Sequence, residues 1–172
     1  MPLPVKSRIE ELIRSLGLLD HPEGGYYRET YRSKGKIGAK ELSPAFRGDR
    51  NYSTAIYFLL TSDNFSAFHR IRQDEVWHFY EGSNIVLHLL KPDGSYEKVI
   101  LGPDISKGHH FQCVVEAGTW FASEVAEPNS YSLAGCTVAP GFDFEDFEMA
   151  KAPELLVQYP AFKDLTTRLC RS

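Results

Sequence analysis

Several features that would quickly assign a function are scarce in this sequence. Cysteine is one: Cys113, Cys136 and Cys170 are odd in number and widely spaced, with no C-x-x-C pair. That excludes a disulfide framework and points to buried thiols in a reducing compartment. Clusters of positive charge are also missing. Nineteen Lys and Arg residues are scattered among 23 Asp and Glu, for a net charge of −4, so the electrostatic footprint of a nucleic-acid binder is absent and no nucleic-acid polymer is expected as a partner. Long hydrophobic runs are lacking too. The longest, "AIYFLL", falls far short of the roughly 20 residues that span a bilayer, and "MPLPVKSRIEE" carries no apolar signal region. These absences lead to the expectation of a soluble, cytoplasmic protein with no membrane partner.

What is present reads as one domain over residues 1–172, since a chain of this length matches an ordinary single core. An N-terminal helix is expected within residues 1–20, where Val5, Ile9, Leu12, Ile13 and Leu16 share a face. Ser7 and Glu10 suggest a capping box there, and Gly17 a stop. A Pro- and Gly-rich turn and an alternating aromatic strand follow in "DHPEGGYYRETYRS". Residues 33–52 are glycine-rich and polar, which reads as a mobile loop, either a lid over a site or a tolerated surface insertion. From Ser53 onward short β runs succeed one another, from "STAIYFLL" to "FDFEDFEM", with "KPDGS" as a hairpin signal between two of them. The regular spacing of aromatic and β-branched runs predicts an antiparallel sandwich or barrel over residues 21–148. Helices return in residues 149–172, with Pro153 and Pro160 placed for first turns and Phe162, Leu165 and Leu169 on one face. No internal repeat or low-complexity segment interrupts this order.

The chemistry concentrates in "FHRIRQDEVWHFYEG", residues 68–82. In an extended strand His69 shares a face with Ala67 and Ile71, while Glu75 shares one with Trp77 and Phe79. A zinc, iron or manganese site needs three or four N, O or S ligands, and His69 with Glu75 supply two. His78 is out of phase with Glu75. A histidine and a carboxylate among aromatic residues suit a small-molecule pocket, whereas the structural alternative is a core histidine paired to a neighbouring carboxylate.

These residues resemble the first motif of the cupin superfamily, G-x5-H-x-H-x3-4-E-x6-G. His69, Glu75 and Gly82 match it, while Asp63 stands at the first glycine and Ile71 at the second histidine. In the second motif Gly118 matches, but Glu116, Phe121 and Val125 replace the proline, histidine and asparagine. Two of the usual four metal ligands are thereby gone. The blocks "HPEGGYYRETYRS", "STAIYFLL", "DEVWHFYEG" and "LAGCTVAPGFDFEDFE" further resemble a small RmlC-like cupin family catalogued as a domain of unknown function (cupin_5-like). The resemblance implies a predominantly β fold, a double-stranded β-helix or cupin jelly-roll barrel with short terminal helices, usually assembled as a homodimer. It also implies kinship with nucleotide-sugar epimerases that work without metal.

The leading expectation is accordingly a metal-free cupin with no cofactor that binds a nucleotide or nucleotide sugar. Trp77, Phe79 and Phe121 would stack, His69, Glu75, Thr54 and Gln112 would hydrogen-bond, and Arg28 would meet phosphate. A second reading is a sugar-nucleotide epimerase or isomerase with His69 as general base, oriented and charged by Glu75. A third is a metal-dependent cupin with displaced ligands His69, Glu75 and His78, and a fourth a structural or storage cupin. The "DFEDFE" run reads as a solvated acidic edge. Cys136 reads as a buried apolar thiol, and Gly135 with Pro140-Gly141 as close strand packing and a turn.

Overall fold

The computed structural model describes residues 4–171. Helix α1 (Val5–Leu16) leads into β1 (Leu19–Asp20), β2 (Tyr26–Arg32) and a small ribbon of β3 (Lys36–Ile37) and β4 (Arg50–Asn51). The main strands follow as β5 (Thr54–Thr61), β6 (Phe65–Arg70), β7 (Asp74–Gly82), β8 (Ile85–Leu90) and β9 (Tyr96–Leu101), then β10 (Gln112–Val115), β11 (Trp120–Val125) and β12 (Tyr131–Ala139). The chain closes with β13 (Glu148–Met149), α2 (Ala152–Gln158) and α3 (Lys163–Leu169). Six strands pair in the order β1-β2-β5-β12-β7-β10 and five in the order β13-β6-β11-β8-β9. Every registered strand pair is antiparallel.

Alternation along the strands sends one side of each sheet into a shared interior. Phe58, Leu60, Trp77, Leu87, Val115 and Phe121 are buried there together. The opposite sides are covered by helices. Helix α1 lays Leu12 on Leu59 and Leu133, and α2 and α3 bring Leu155 and Leu169 onto Phe68, Trp120 and Ala122. Truncating a side chain as buried as Phe58 would cost about 3–5 kcal/mol. The "KPDGS" hairpin closes through Lys91 N–H to the Ser95 carbonyl at 2.9 Å. Phe162 and Leu165 pack beside Leu169 as the periodicity requires.

Three local expectations are corrected. Helix α1 starts one turn earlier than a Ser7 cap would place it, with Pro4 as N-cap and no side-chain capping bond, although Gly17 does end it. Residues 33–52 are not a free loop: the β3–β4 ribbon orders them, and Arg50 is buried and ion-paired to Asp146. The "FDFEDFEM" run contributes only β13 to a sheet. Before it, Phe144–Asp146 form a 3-10 turn with Asp143 capping through Glu145 N–H, and Asp146 is buried rather than solvated.

Candidate functional site

A cavity of about 280 Å³ opens between the sheets, its lining drawn from β2, β5, β6, β7, β12 and the Phe142–Phe147 turn. Its position depends on irregularities in the strands. In β6 the register with β11 shifts between Phe121 and Ser123, so His69 and Ser66, three residues apart, face strand partners on the same side. In β2 a shift between Glu29 and Tyr31 turns Arg32 to the side occupied by Tyr27 and Glu29, and all three line the cavity.

His69 is 3 % exposed, and both of its ring nitrogens are engaged. Nδ1 lies 2.7 Å from the Ala67 carbonyl and Nε2 lies 2.9 Å from Glu23 Oε2. A carbonyl only accepts, so Nδ1–H donates to it. The carboxylate is then served by a second N–H, which makes His69 an imidazolium paired with Glu23. Burial alone would depress the His69 pKa, but the Glu23 charge and hydrogen bond carry it above the ordinary value. Burial would likewise raise Glu23, but His69 holds it below the usual carboxylate range. Ser66 Oγ–H donates to Glu23 Oε1 at 2.9 Å and completes the pair.

The tight "HPEGG" turn brings Glu23 inside. The Ala67 amide donates to the Glu23 carbonyl at 2.9 Å, and Gly24 and Gly25 have positive φ of 113° and 81°. A Cβ on Gly24 would collide with the Phe65 carbonyl, so only glycine lets the turn press this close to β6. His21, in the same turn, accepts the Glu23 amide at its Nδ1 (3.3 Å) and stacks edge-on against Tyr27. Burial keeps its pKa low, so it is neutral beside the charged pair.

Glu75 also lines the cavity and differs from this assembly. It is 8 % exposed, yet no cationic side chain among the described residues lies within ion-pair distance of it. Burial pushes its pKa up to about 7, against the opposing influence of the His69 charge. The Cys136 thiol and the Trp77 indole beside it oppose that rise as donors, although the indole N–H is buried without a well-formed hydrogen bond. Cys136 is buried and its thiol is held protonated by burial and by Glu75. Gly135 beside it makes room for the Tyr80 ring.

Four of the eight residues expected to bind ligand line the cavity: Thr54, His69, Glu75 and Trp77. Thr54 acts partly through its hydroxyl, which accepts the Phe142 amide at 3.0 Å and anchors the aromatic turn. The other four are elsewhere. Phe121 is fully buried behind the His69 ring, centroids 4.0 Å apart, and so packs the imidazole rather than a ligand. Phe79 packs in the interior core. Gln112 is exposed and donates to His78 Nδ1 at 2.8 Å, while His78 Nε2 meets Thr137 Oγ1 at 3.1 Å; both lie on the side of their sheet away from the cavity. Arg28 is exposed, reaching only the Gly17 carbonyl at 3.5 Å. Arg32 occupies the cavity edge instead, gripped by both carboxylate oxygens of Glu29 at 2.9 and 2.7 Å.

Two chemical expectations change with this geometry. His69 has no free lone pair for a general base, and its charge partner is Glu23 rather than Glu75. The displaced metal set His69, Glu75 and His78 is not assembled, because His78 faces away. No group of three His, Cys, Asp or Glu side chains among the described residues is arranged to hold a metal ion. The residues present therefore do not fit the metal centre that the fold family implies. Sequence reasoning missed His21, Glu23, Glu29, Arg32 and the phenyl groups of Phe142, Phe144 and Phe147. The glycine pair after Glu23 and the run of phenylalanines in "GFDFEDFE" were the available signals.

The two packed antiparallel sheets with a cavity between them are the jelly-roll architecture of a cupin. The chain belongs to the Cupin superfamily (DUF985) family, whose model matches residues 10–150. It is 33% identical over 174 residues to an uncharacterized protein of Saccharomyces cerevisiae, YML079W, covering 91% of this chain and 81% of the yeast protein. A hypothetical protein from Leishmania major superposes with a TM-score of 0.85 at 32% identity, covering 95% of this chain and 98% of that one. Protein SO0799 from Shewanella oneidensis does so with a TM-score of 0.83 at 36% identity, covering 94% and 96%. No helix among the described residues is long and apolar enough to cross a membrane.

Proposed function

We propose that this cupin binds a small polar organic ligand in the cavity, with a ring of the ligand held between the β-sheet aromatics and the Phe142–Phe147 turn. One observation carries the reading: a recessed space open at a mouth and walled largely by aromatic residues converges on a few polar groups, Glu75, His69 and Glu23. That combination of apolar walls and sparse, placed polar atoms is the usual form of a small-molecule site. At about 280 Å³ the space suits a single ring with short substituents. Trp77 and Phe58, crossed edge to face at 5.5 Å, supply one wall, and Phe142 and Phe144 at 5.0 Å supply another.

For the nucleotide or nucleotide-sugar ligands suggested by the family resemblance, the base or sugar ring matches these walls. The phosphates match them poorly, because Arg28 is outside and Arg32 is already neutralised by Glu29. A nucleotide would enter ring first and leave its phosphates at the mouth. Isothermal titration with nucleosides, the matching nucleotides and free monosaccharides tests the reading. Binding that weakens at least about tenfold in Trp77→Ala is expected. Absence of binding by every compound up to millimolar concentration would overturn it.

A further inference from the structure

Resting on the reading of the cavity as a binding site, the balance of charge around it defines what the ligand must bring. The charged and titratable groups facing it come from six parts of the fold: His21 and Glu23 in the turn before β2, Tyr27, Glu29 and Arg32 in β2, His69 in β6, Glu75 in β7, Cys136 in β12 and Asp143 in the Phe142–Phe147 turn. The cations are already committed, Arg32 to Glu29 through two hydrogen bonds and His69 to Glu23. His21 is kept neutral by burial and the Cys136 thiol is kept protonated. Asp143 and Glu75 remain as acidic groups without a cation of their own. Asp143 is only partly buried and caps a turn, whereas Glu75 is enclosed beside the Trp77 ring.

An enclosed carboxylate without an ionic partner, set among aromatic faces, is complementary to an organic cation: the carboxylate supplies the counter-charge and the rings attract the ammonium through their π faces. We propose that the cavity of this chain is selective for a small ring compound carrying a protonated amine, with the ammonium placed against Glu75 and the ring between Trp77 and the Phe142–Phe147 turn. An anionic ligand would meet the same carboxylates with no free cation to offset them, so phosphate-bearing and carboxylate-bearing compounds are disfavoured inside. The selectivity should follow the ionisation of Glu75, full when it is charged and fading as it takes up a proton.

Three probes with one ring and different charge test this directly: tyramine, its neutral alcohol analogue tyrosol, and the anion 4-hydroxyphenylacetate, each titrated calorimetrically at pH 8 and pH 5.5. At pH 8 tyramine is expected to bind at least about tenfold more tightly than tyrosol, and the anion most weakly. At pH 5.5 the preference for tyramine should collapse, and in Glu75→Gln tyramine should fall to the affinity of tyrosol at both pH values. Tyrosol binding as well as tyramine at pH 8, or the anion binding best, would overturn the charge selectivity while leaving the cavity as a binding site. Failure of all three to bind up to millimolar concentration while a nucleoside or monosaccharide binds would overturn the amine selectivity alone, and failure of every one of these compounds would overturn both readings.

Discussion

Two buried carboxylates in different regions of the fold, Asp146 and Glu75, show how site and scaffold differ. Asp146, in the turn before β13, is saturated: Arg50 grips it with Nε at 2.7 Å and Nη2 at 2.8 Å, and Gln73 Nε2 donates to it at 2.7 Å. Glu75, in the cavity, is nearly as buried but has no ionic partner. Burial alone therefore does not mark a functional group. The acid whose partners the fold supplies holds the β4 ribbon to the aromatic turn, and the acid left without one faces the space a ligand would fill.

Removing a partner should hurt most where saturation is complete. Arg50→Ala strands Asp146 in the interior and is expected to destabilise the fold by about 3–5 kcal/mol in urea unfolding. Glu23→Gln is next, because it leaves the His69 imidazolium without its counter-ion; a loss of about 2–4 kcal/mol is expected at pH 5.5. The pH matters for that comparison. Glu23 is depressed in the fold, so its contribution is present above its unfolded value of 4.5 and is lost as pH falls through the folded pKa. His69 is raised, so its contribution is full below its unfolded value of 6.5 and is lost as pH rises through the folded pKa. The pair is at full strength between those two values, and the Glu23→Gln penalty should shrink on either side.

Glu75 should behave in the opposite way. Its pKa is raised from 4.5 to about 7, so the native state holds a proton that the unfolded chain has released, and stability falls as pH rises through that window. Glu75→Gln is expected to stabilise the protein at pH 8 by about 3 kcal/mol, seen as a Tm increase of about 5–10 °C, and to change little at pH 4.5. A destabilised Glu75→Gln at pH 8 would mean that Glu75 has a structural partner after all. The smallest effect belongs to the exposed residues: Arg28→Ala and Gln112→Ala should each shift stability by less than about 0.5 kcal/mol and leave ligand titrations unchanged.

The pattern of elements was largely legible in the sequence. Alternating aromatic and β-branched runs located β2 and β5–β12 to within a few residues, "KPDGS" marked its hairpin, and Gly17 and the two tail prolines marked helix ends. The cavity was half legible, for a physical reason. His69, Glu75 and Trp77 sit on strands where simple alternation or a short motif applies. Arg32 was missed because period-two alternation puts it on the face of Arg28, opposite Tyr27 and Glu29, and cannot foresee the β2 bulge that turns it inward. Glu23 was missed because the contact it makes with His69 is nonlocal, and "FDFEDFE" was misread because its acidic residues suggested solvent while its phenyl groups and Asp146 turned inward.

The central claim is that Glu75 is an enclosed acid without an ionic partner, and a side-chain carboxyl carbon NMR titration of the free protein, assigned by comparison with Glu75→Gln, tests it most directly. The expected midpoint for Glu75 is about 7, falling when tyramine is added. A midpoint near the ordinary 4.5, unmoved by the amine, would contradict it.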